Sequence, residues 1–305
     1  MSSFKTNSGI SHIEELCLSG AVHKGILYVG AFKYLEELGI LNKKYLKKII
    51  GTSIGSFVLA CYVSGYTISQ LVAMILEVDF AEFKDQDPNF SLVNLFAGHN
   101  FHNWVSKCLG KYLDPNITIG QFYEKFNIDF IIVVVSLENG LIYVSKDTRP
   151  HMSLFSAIMA SMNVPFVFPP YQTSDGLQND IYVDGGLLDN FAIHLLGPRS
   201  FGITPVRKKQ QCDINDPISY FLKMTELIGS LIKDLRKPKT EYIMEITTND
   251  TAIIDFDMSK DSKITMYFAG YNFTKNSDIP EKYIRDFWKD IFNKVLIDLE
   301  DFFLL

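Results

Sequence analysis

Tryptophan is rare in this 305-residue chain, with 2 copies, and cysteine is little commoner, with 4. Cys17, Cys61, Cys108 and Cys212 lie far apart, and none belongs to a Cys-x-x-Cys pair. Such spacing speaks against a disulfide framework and a thiolate zinc centre, and suits buried free thiols in a reducing compartment. Long apolar runs are also missing. Even the β-branched run at residues 130–135, and the seven-residue run at 57–63, are far short of the ~20 residues a membrane-spanning helix needs. The first residues, MSSFKTNSGISHIEE, lack the apolar core of a secretory signal, so a cytoplasmic protein is expected. Positive charge is not in excess. A net charge of −6 and a pI near 5.5 argue against broad nucleic-acid binding, and equally against simple electrostatic docking on anionic membranes. Neither an internal repeat nor a cluster of metal ligands is visible, and no metal or cofactor is expected.

What is present is a large apolar fraction, 47%, enough for one sizeable α/β core. Cys17 and Leu18 end a first strand and run into Ser19-Gly20. Apolar residues then recur at helical spacing over about 24–38, with Gly39 at the C-cap position. Ile49 and Ile50 form a short buried strand that breaks at Gly51. A second helix over about 54–63 closes at Gly65, and Thr67 can cap a third through residue 78. Further helices are predicted over about 101–112, 118–126 and 153–162. A β-branched strand is predicted over 129–136, with residues 141–145 as its partner, and another strand over 181–183. Strand, glycine-rich turn and helix recur, which predicts a three-layer α/β/α architecture around a mostly parallel sheet. Residues 207–216, RKKQQCDIND, read as a linker. A helix over about 218–235, two or three strands and a terminal helix are expected beyond it. The chain is read as one domain over 1–305, with a motif-bearing core over about 13–206 and a C-terminal extension over about 207–305.

Two short motifs carry chemistry. Gly51-Thr52-Ser53-Ile54-Gly55 is a GxSxG between a strand and a helix. A nucleophile at so sharp a turn projects its hydroxyl clear of the backbone, provided small residues flank it, and the following helix directs its N–H groups toward a developing oxyanion. By chance alone a GxSxG arises in on the order of a tenth of chains this long, so the strand-before, helix-after context matters. A serine needs a base. None of the six histidines sits in a distinctive turn after a strand; His151 and His194 are the least dismissible. Asp184-Gly185-Gly186, by contrast, places a carboxylate at a strand end, ahead of two glycines that permit close backbone approach. In isolation Asp-Gly-Gly more often marks a plain tight turn.

In order, the chain contains Leu18-Ser19-Gly20 with Lys24-Gly25, then Gly51 to Gly55, then Asp184-Gly185-Gly186. Between the last two lies Ser156-Ala157-Ile158-Met159-Ala160-Ser161-Met162-Asn163-Val164-Pro165, continuing to Phe168-Pro169-Pro170. This series resembles the patatin-like phospholipases over roughly residues 16–203, and Leu187 and Asn190 fit the positions after the aspartate motif. The resemblance implies a lipid acyl hydrolase with a Ser-Asp dyad and no catalytic histidine. Ser53 would be the nucleophile and Asp184 its base. Gly20 with the N–H groups of Ala21 and Val22 would form the oxyanion hole. It also implies a lipid ester substrate and transient contact with a membrane surface, and leaves the oligomeric state open.

The chain departs from the family pattern at Gly20-Ala21-Val22-His23-Lys24-Gly25, where three glycines, any residue, then Arg-Gly are usual. Lys24 keeps the charge without the guanidinium fork. Val22 is β-branched and resists positive φ, so an ordinary φ or a distorted hole is expected there. Two alternatives stand beside the dyad hydrolase: a Ser-His-Asp esterase, and a catalytically silent lipid-binding protein on the same scaffold. Residues 164–171, VPFVFPPY, are expected to bring apolar side chains near the Asp184 strand. A terminal helix over about 287–303 would carry Trp288, Ile291, Phe292, Val295, Leu296 and Leu299 on one face, and is read chiefly as core packing.

Overall fold

A computed structural model describes residues 12–86, 94–173, 180–207, 217–236, 242–248 and 254–279. Its strands in chain order are β1 (Glu15–Leu18), β2 (Lys48–Thr52), β3 (Asp129–Ser136), β4 (Gly140–Val144), β5 (Tyr171–Thr173), β6 (Asp180–Asp184), β7 (Phe201–Arg207) and β8 (Tyr242–Thr248). The helices are α1 (Ile26–Glu37), α2 (Ile54–Ser64), α3 (Ile68–Glu77), α4 (His99–Leu109), α5 (Ile119–Phe126), α6 (Leu154–Met162), α7 (Pro217–Leu235) and α8 (Lys260–Lys275). The sheet runs β5-β6-β3-β2-β1-β7-β8, with β4 also paired to β3. All pairings from β3 through β8 along that path are parallel, and β4, β5 and β6 join antiparallel. This is the mostly parallel α/β sheet, flanked by helices, that the alternation of elements predicts.

Alternating strand residues feed two faces. Leu16, Leu18, Ile49, Ile132 and Val134 join the main core with α1, α2 and α3. Cys17, Ile50, Ile131 and Val133 point the other way and meet Ala192, Ile193 and Leu196. Burial on both faces explains why these strands read as unbroken apolar runs instead of alternating ones. Helix ends follow local chemistry. Thr67 and Thr118 each accept a hydrogen bond from the third helical residue, Gln70 or Gln121, whose side chain bonds back to the cap. Cys17, Cys61 and Cys108 are buried free thiols.

The structure differs from the sequence reading after residue 200. β7 continues through Arg207, into the segment read as a linker. Its Gly202 and Pro205 hide the strand signature. Pro205 is tolerated because β1 pairs only as far as Ile203, leaving β7 with a neighbour on one side beyond it. β8 is followed by the 16-residue α8, packed on α1, where strands were expected. Its aromatics and β-branched residues suggest a strand, but it is capped by Ser259 and crosses α1 closely. The terminal helix and most of the linker lie outside the described residues.

The register of β3 positions everything that follows. β2 pairs with β3 as far as Thr52 opposite Val133. β6, running the other way, ends with Asp184 opposite Val134. β4 overlaps both in register on β3, from Ile132 through Ser136, so it must occupy the opposite edge. β2 and β6 therefore approach head-on along a single edge, and their ends fall at adjacent residues.

At the end of β1 the buried hydroxyl of Tyr28 in α1 donates to the Ser19 carbonyl (2.7 Å), and the same hydroxyl oxygen lies 2.9 Å from Ser19 Oγ. Ser19 Oγ in turn meets Thr204 Oγ1 at 2.9 Å. Tyr28→Phe removes the donor and is expected to lower unfolding free energy by about 1–3 kcal/mol, the usual effect of leaving a buried polar group unpaired. Urea unfolding measures it, and an unchanged midpoint would show that Tyr28 does not anchor the strand end.

Candidate active site

Ser53 stands between β2 and α2 with φ 51° and ψ −129°, a conformation that L-residues avoid and that costs of order 1–3 kcal/mol. The surroundings enforce it. A Cβ on Gly51 would press on the Ser56 backbone, and one on Gly55 on the Leu18 and Ser19 carbonyls. Ser56 Oγ donates to the Ser53 carbonyl at 2.6 Å. The Ser53 N–H donates to Ser161 Oγ (2.8 Å), and the Ser161 hydroxyl in turn donates a hydrogen bond to the Val133 carbonyl (2.6 Å). One hydroxyl on α6 thus ties the turn to the middle of β3.

Asp184 reaches the same place from the other strand. Gly185 lies so close to the Val133 carbonyl that any side chain there would overlap it, which explains the first glycine of the motif. The Gly186 N–H donates to Asp184 Oδ1 at 2.7 Å, and the Ser53 side chain also favours the charged carboxylate. Burial outweighs both and lifts the carboxyl from the usual 3.8 to about 6. Behind it the Asp184 N–H donates to the Asn163 carbonyl (3.0 Å), and Asn163 Oδ1 meets His102 Nε2 at 3.0 Å.

Gly20, Ala21 and Val22 line the space beside Ser53. The Gly20 N–H is engaged by the Asn190 carbonyl (3.1 Å), and Asn190 Nδ2 donates back to the Gly20 carbonyl (3.1 Å). The N–H groups of Ala21 and Val22 have no acceptor among the described residues. Val22 takes φ +49° and opens the short 3-10 turn Val22–Gly25 that leads into α1. The sequence reading expected an ordinary φ or a distorted loop here. Instead the valine adopts the left-handed conformation, at roughly 1–2 kcal/mol. Lys24 is buried, and Gly25 packs against Ile54.

The histidines stand elsewhere. Among the described residues none hydrogen-bonds to Ser53. His151 is exposed. His194 Nε2 lies 3.8 Å from Asp189 Oδ2 and 3.5 Å from the Tyr143 hydroxyl. Buried Asp189 accepts from the Tyr143 hydroxyl (2.7 Å) and Arg236 Nη1 (2.8 Å), while its carbonyl accepts from Thr52 Oγ1 (3.3 Å). It therefore joins the end of β2, the loop after Asp184 and the end of α7. The sequence reading missed Asp189 and Ser161. The only signal for Asp189 is a charge inside the otherwise apolar stretch Leu187-Leu188-Asp189-Asn190-Phe191. Ser161 carries no signal beyond its place in the resembling segment.

Two cavities meet at Ser53. The larger, about 450 Å³, holds Ser53 and Asp184 at one end and Asp189, His194, Arg236 and Glu245 farther along. The smaller, about 100 Å³, is walled by apolar side chains including Phe57, Phe83, Phe101, Trp104 and Phe168. Val164, from the proline-rich loop, borders both. Among the described residues no group of three or more His, Cys, Asp and Glu could hold a metal ion.

A family model described as patatin-like phospholipase matches residues 16–196, more than half of the chain, and the chain belongs to that family. It is 25% identical over 284 residues to the uncharacterized protein YqhO of Bacillus subtilis, covering 83% of this chain and 93% of that one. It is also 25% identical over 194 residues to the probable lipid hydrolase 463L of invertebrate iridescent virus 6, covering 60% of this chain and 63% of the viral protein. Among solved structures, VipD from Legionella pneumophila superposes with a TM-score of 0.59 at 14% identity, over 88% of this chain and 67% of that one. This last likeness concerns the fold alone.

Two outcomes follow from the buried groups. Ser161→Ala leaves the Ser53 N–H and the Val133 carbonyl without their shared partner; fluorophosphonate labelling of Ser53 is expected to slow at least about tenfold, beyond the 1–3 kcal/mol loss in stability, and Ser161→Thr should recover most of the rate. Equal labelling of Ser161→Ala and wild type would remove Ser161 from the turn's support. Because the folded carboxyl of Asp184 binds its proton more tightly than the unfolded one, its contribution to stability is full below pH 3.8 and is lost as pH rises through about 6. Asp184→Asn is therefore expected to raise stability at pH 8 by up to about 3 kcal/mol, a gain absent near pH 4. A variant less stable than wild type at pH 8 would contradict the burial argument.

Proposed function

We propose that the protein is a lipid acyl hydrolase in which Ser53 attacks the ester carbonyl and Asp184 serves as its base. The observation that carries this reading is the convergence of β2 and β6, which sets Ser53 and the buried Asp184 carboxylate side by side in one cavity, with burial raising the carboxyl to about 6. That value suits a group that must accept a proton near neutral pH and return it.

In the reaction, Asp184 takes the Ser53 proton as Oγ forms a bond to the carbonyl carbon. The carbonyl oxygen becomes an oxyanion beside the N–H groups of Ala21 and Val22, at the N-terminal ends of two helical segments. Collapse of this intermediate breaks the bond to the alcohol, which leaves with the proton held by Asp184, and Ser53 retains the acyl group. Water, deprotonated by Asp184, then attacks the acyl-enzyme. The fatty acid departs and the Ser53 hydroxyl is restored. The apolar smaller cavity suits the acyl chain, and the larger one, which carries Asp189, His194, Arg236 and Glu245, suits the alcohol portion of the lipid. Family membership and the name of the iridescent virus relative support a lipid substrate.

Ser53→Ala is expected to abolish fluorophosphonate labelling and to reduce ester turnover by at least ~1,000-fold. Asp184→Asn should lower it about 100- to 10,000-fold, the range for a general base. Since the ionised carboxylate is the competent form, wild-type kcat/KM should fall as pH drops through about 6 and level off above it. Undiminished labelling of Ser53→Ala, or a rate indifferent to both the substitution at Asp184 and pH between 5 and 8, would reject the proposal.

A further inference from the structure

Helix α7 turns an apolar side outward. Tyr220, Met224, Leu227, Ile228, Leu231 and Leu235 recur every three or four residues, and each is between 42 and 75% exposed. The opposite side of the same helix meets the larger cavity through Phe221, Thr225, Gly229 and Ile232, with Arg236 just beyond the last turn. α7 is therefore a wall between the space that holds Ser53 and the exterior. On the cavity side, exposed Phe166 stacks edge-on against Phe221 at 4.7 Å between ring centres. Exposed Leu95 is next to it, its N–H bonded to the Phe166 carbonyl (2.9 Å). Isolated surface leucines need no explanation, but six exposed apolar residues along one side of a helix that walls a cavity mark a contact surface.

Charge narrows the choice of contact. The chain as a whole is at −6, yet residues 207–241 carry eight Lys and Arg against five Asp and Glu. The stretch of sequence around α7 is thus of opposite sign to the rest of the protein, and complements an anionic surface. No described helix is long and apolar enough to cross a membrane, so such a helix lies in the plane of the interface, its apolar side in the boundary between headgroups and acyl chains.

We infer that α7 is an interfacial docking helix that seats the mouth of the Ser53 cavity on an anionic lipid bilayer. This rests on the lipid hydrolase reading for its purpose, but its test is separate. The full chain should sediment with phosphatidylcholine vesicles that contain phosphatidylglycerol, and bind vesicles of phosphatidylcholine alone about tenfold more weakly. Leu227→Ser/Leu231→Ser should weaken binding to the mixed vesicles by about tenfold or more, while hydrolysis of soluble p-nitrophenyl butyrate stays as in wild type. Leu231→Trp should add an emission that brominated acyl chains quench. Unchanged binding by the double variant, an unquenched tryptophan, or no binding of wild type to mixed vesicles would overturn the inference. So would a wild-type dimer in sedimentation velocity that the double variant splits, since the stripe would then serve a second copy of the chain. Vesicle binding without hydrolysis of the soluble ester would support the docking helix and reject the hydrolase; hydrolysis without binding would do the reverse.

Discussion

The whole arrangement depends on how two strands end on a third. β2 and β6 share one edge of β3, run toward each other, and stop at Val133 and Val134. Segments 131 residues apart in the chain thereby deliver a hydroxyl and a carboxylate to one point, without either having to cross the sheet. The Val133 carbonyl is the hub. It accepts a hydrogen bond from the Ser161 hydroxyl, and Gly185 packs directly on it. A side chain at residue 185 would push the aspartate away from the serine even with both of those side chains intact.

Around that point the molecule stores unfavourable terms that only a cooperative frame can hold. Ser53 and Val22 both lie in the left-handed region, and Asp184 is buried with its charged form disfavoured. Each term destabilises the fold by a kilocalorie or more. Offsetting them are the parallel sheet, buried on two faces, and clamps around Ser53 and Asp184: Asn190 across the Gly20 loop, Ser161 under the turn, and the Asp189 group joining β2 to the end of α7. The Val22 side chain illustrates the balance. The loop keeps the backbone form that glycine would take freely, which leaves the N–H groups of Ala21 and Val22 without an acceptor among the described residues.

How much of this was legible depended on the range of the signal. The strands through Ile50, Val133 and Val183 and the helices after Ser53, Thr67 and Thr118 are written in local apolar pattern and capping residues, and the structure has them within a few positions. The segment after residue 200 was harder, because Pro205 masks a strand whose missing neighbour makes the proline harmless, and α8 owes its place to packing on α1. At the site, Ser53 and Asp184 could be named because glycines bracket them. Ser161 and Asp189 could not, since their roles are hydrogen bonds across 108 and 137 residues of chain, and no local pattern marks a residue for a partner that distant. The outward face of α7 was equally hidden, because periodicity reveals an apolar stripe but not whether the fold covers it.

The central claim is that the serine, the aspartate and the Ala21-Val22 loop act on one reacting carbon. Its most direct measurement is a crystal structure of the protein after reaction with a fluorophosphonate. The account predicts phosphorus bonded to Ser53 Oγ, its oxygen hydrogen-bonded to the N–H groups of Ala21 and Val22, and the Asp184 carboxylate adjacent to the ester oxygen. An adduct on another residue, or one whose oxygen turns away from that loop with Asp184 out of reach, would contradict it.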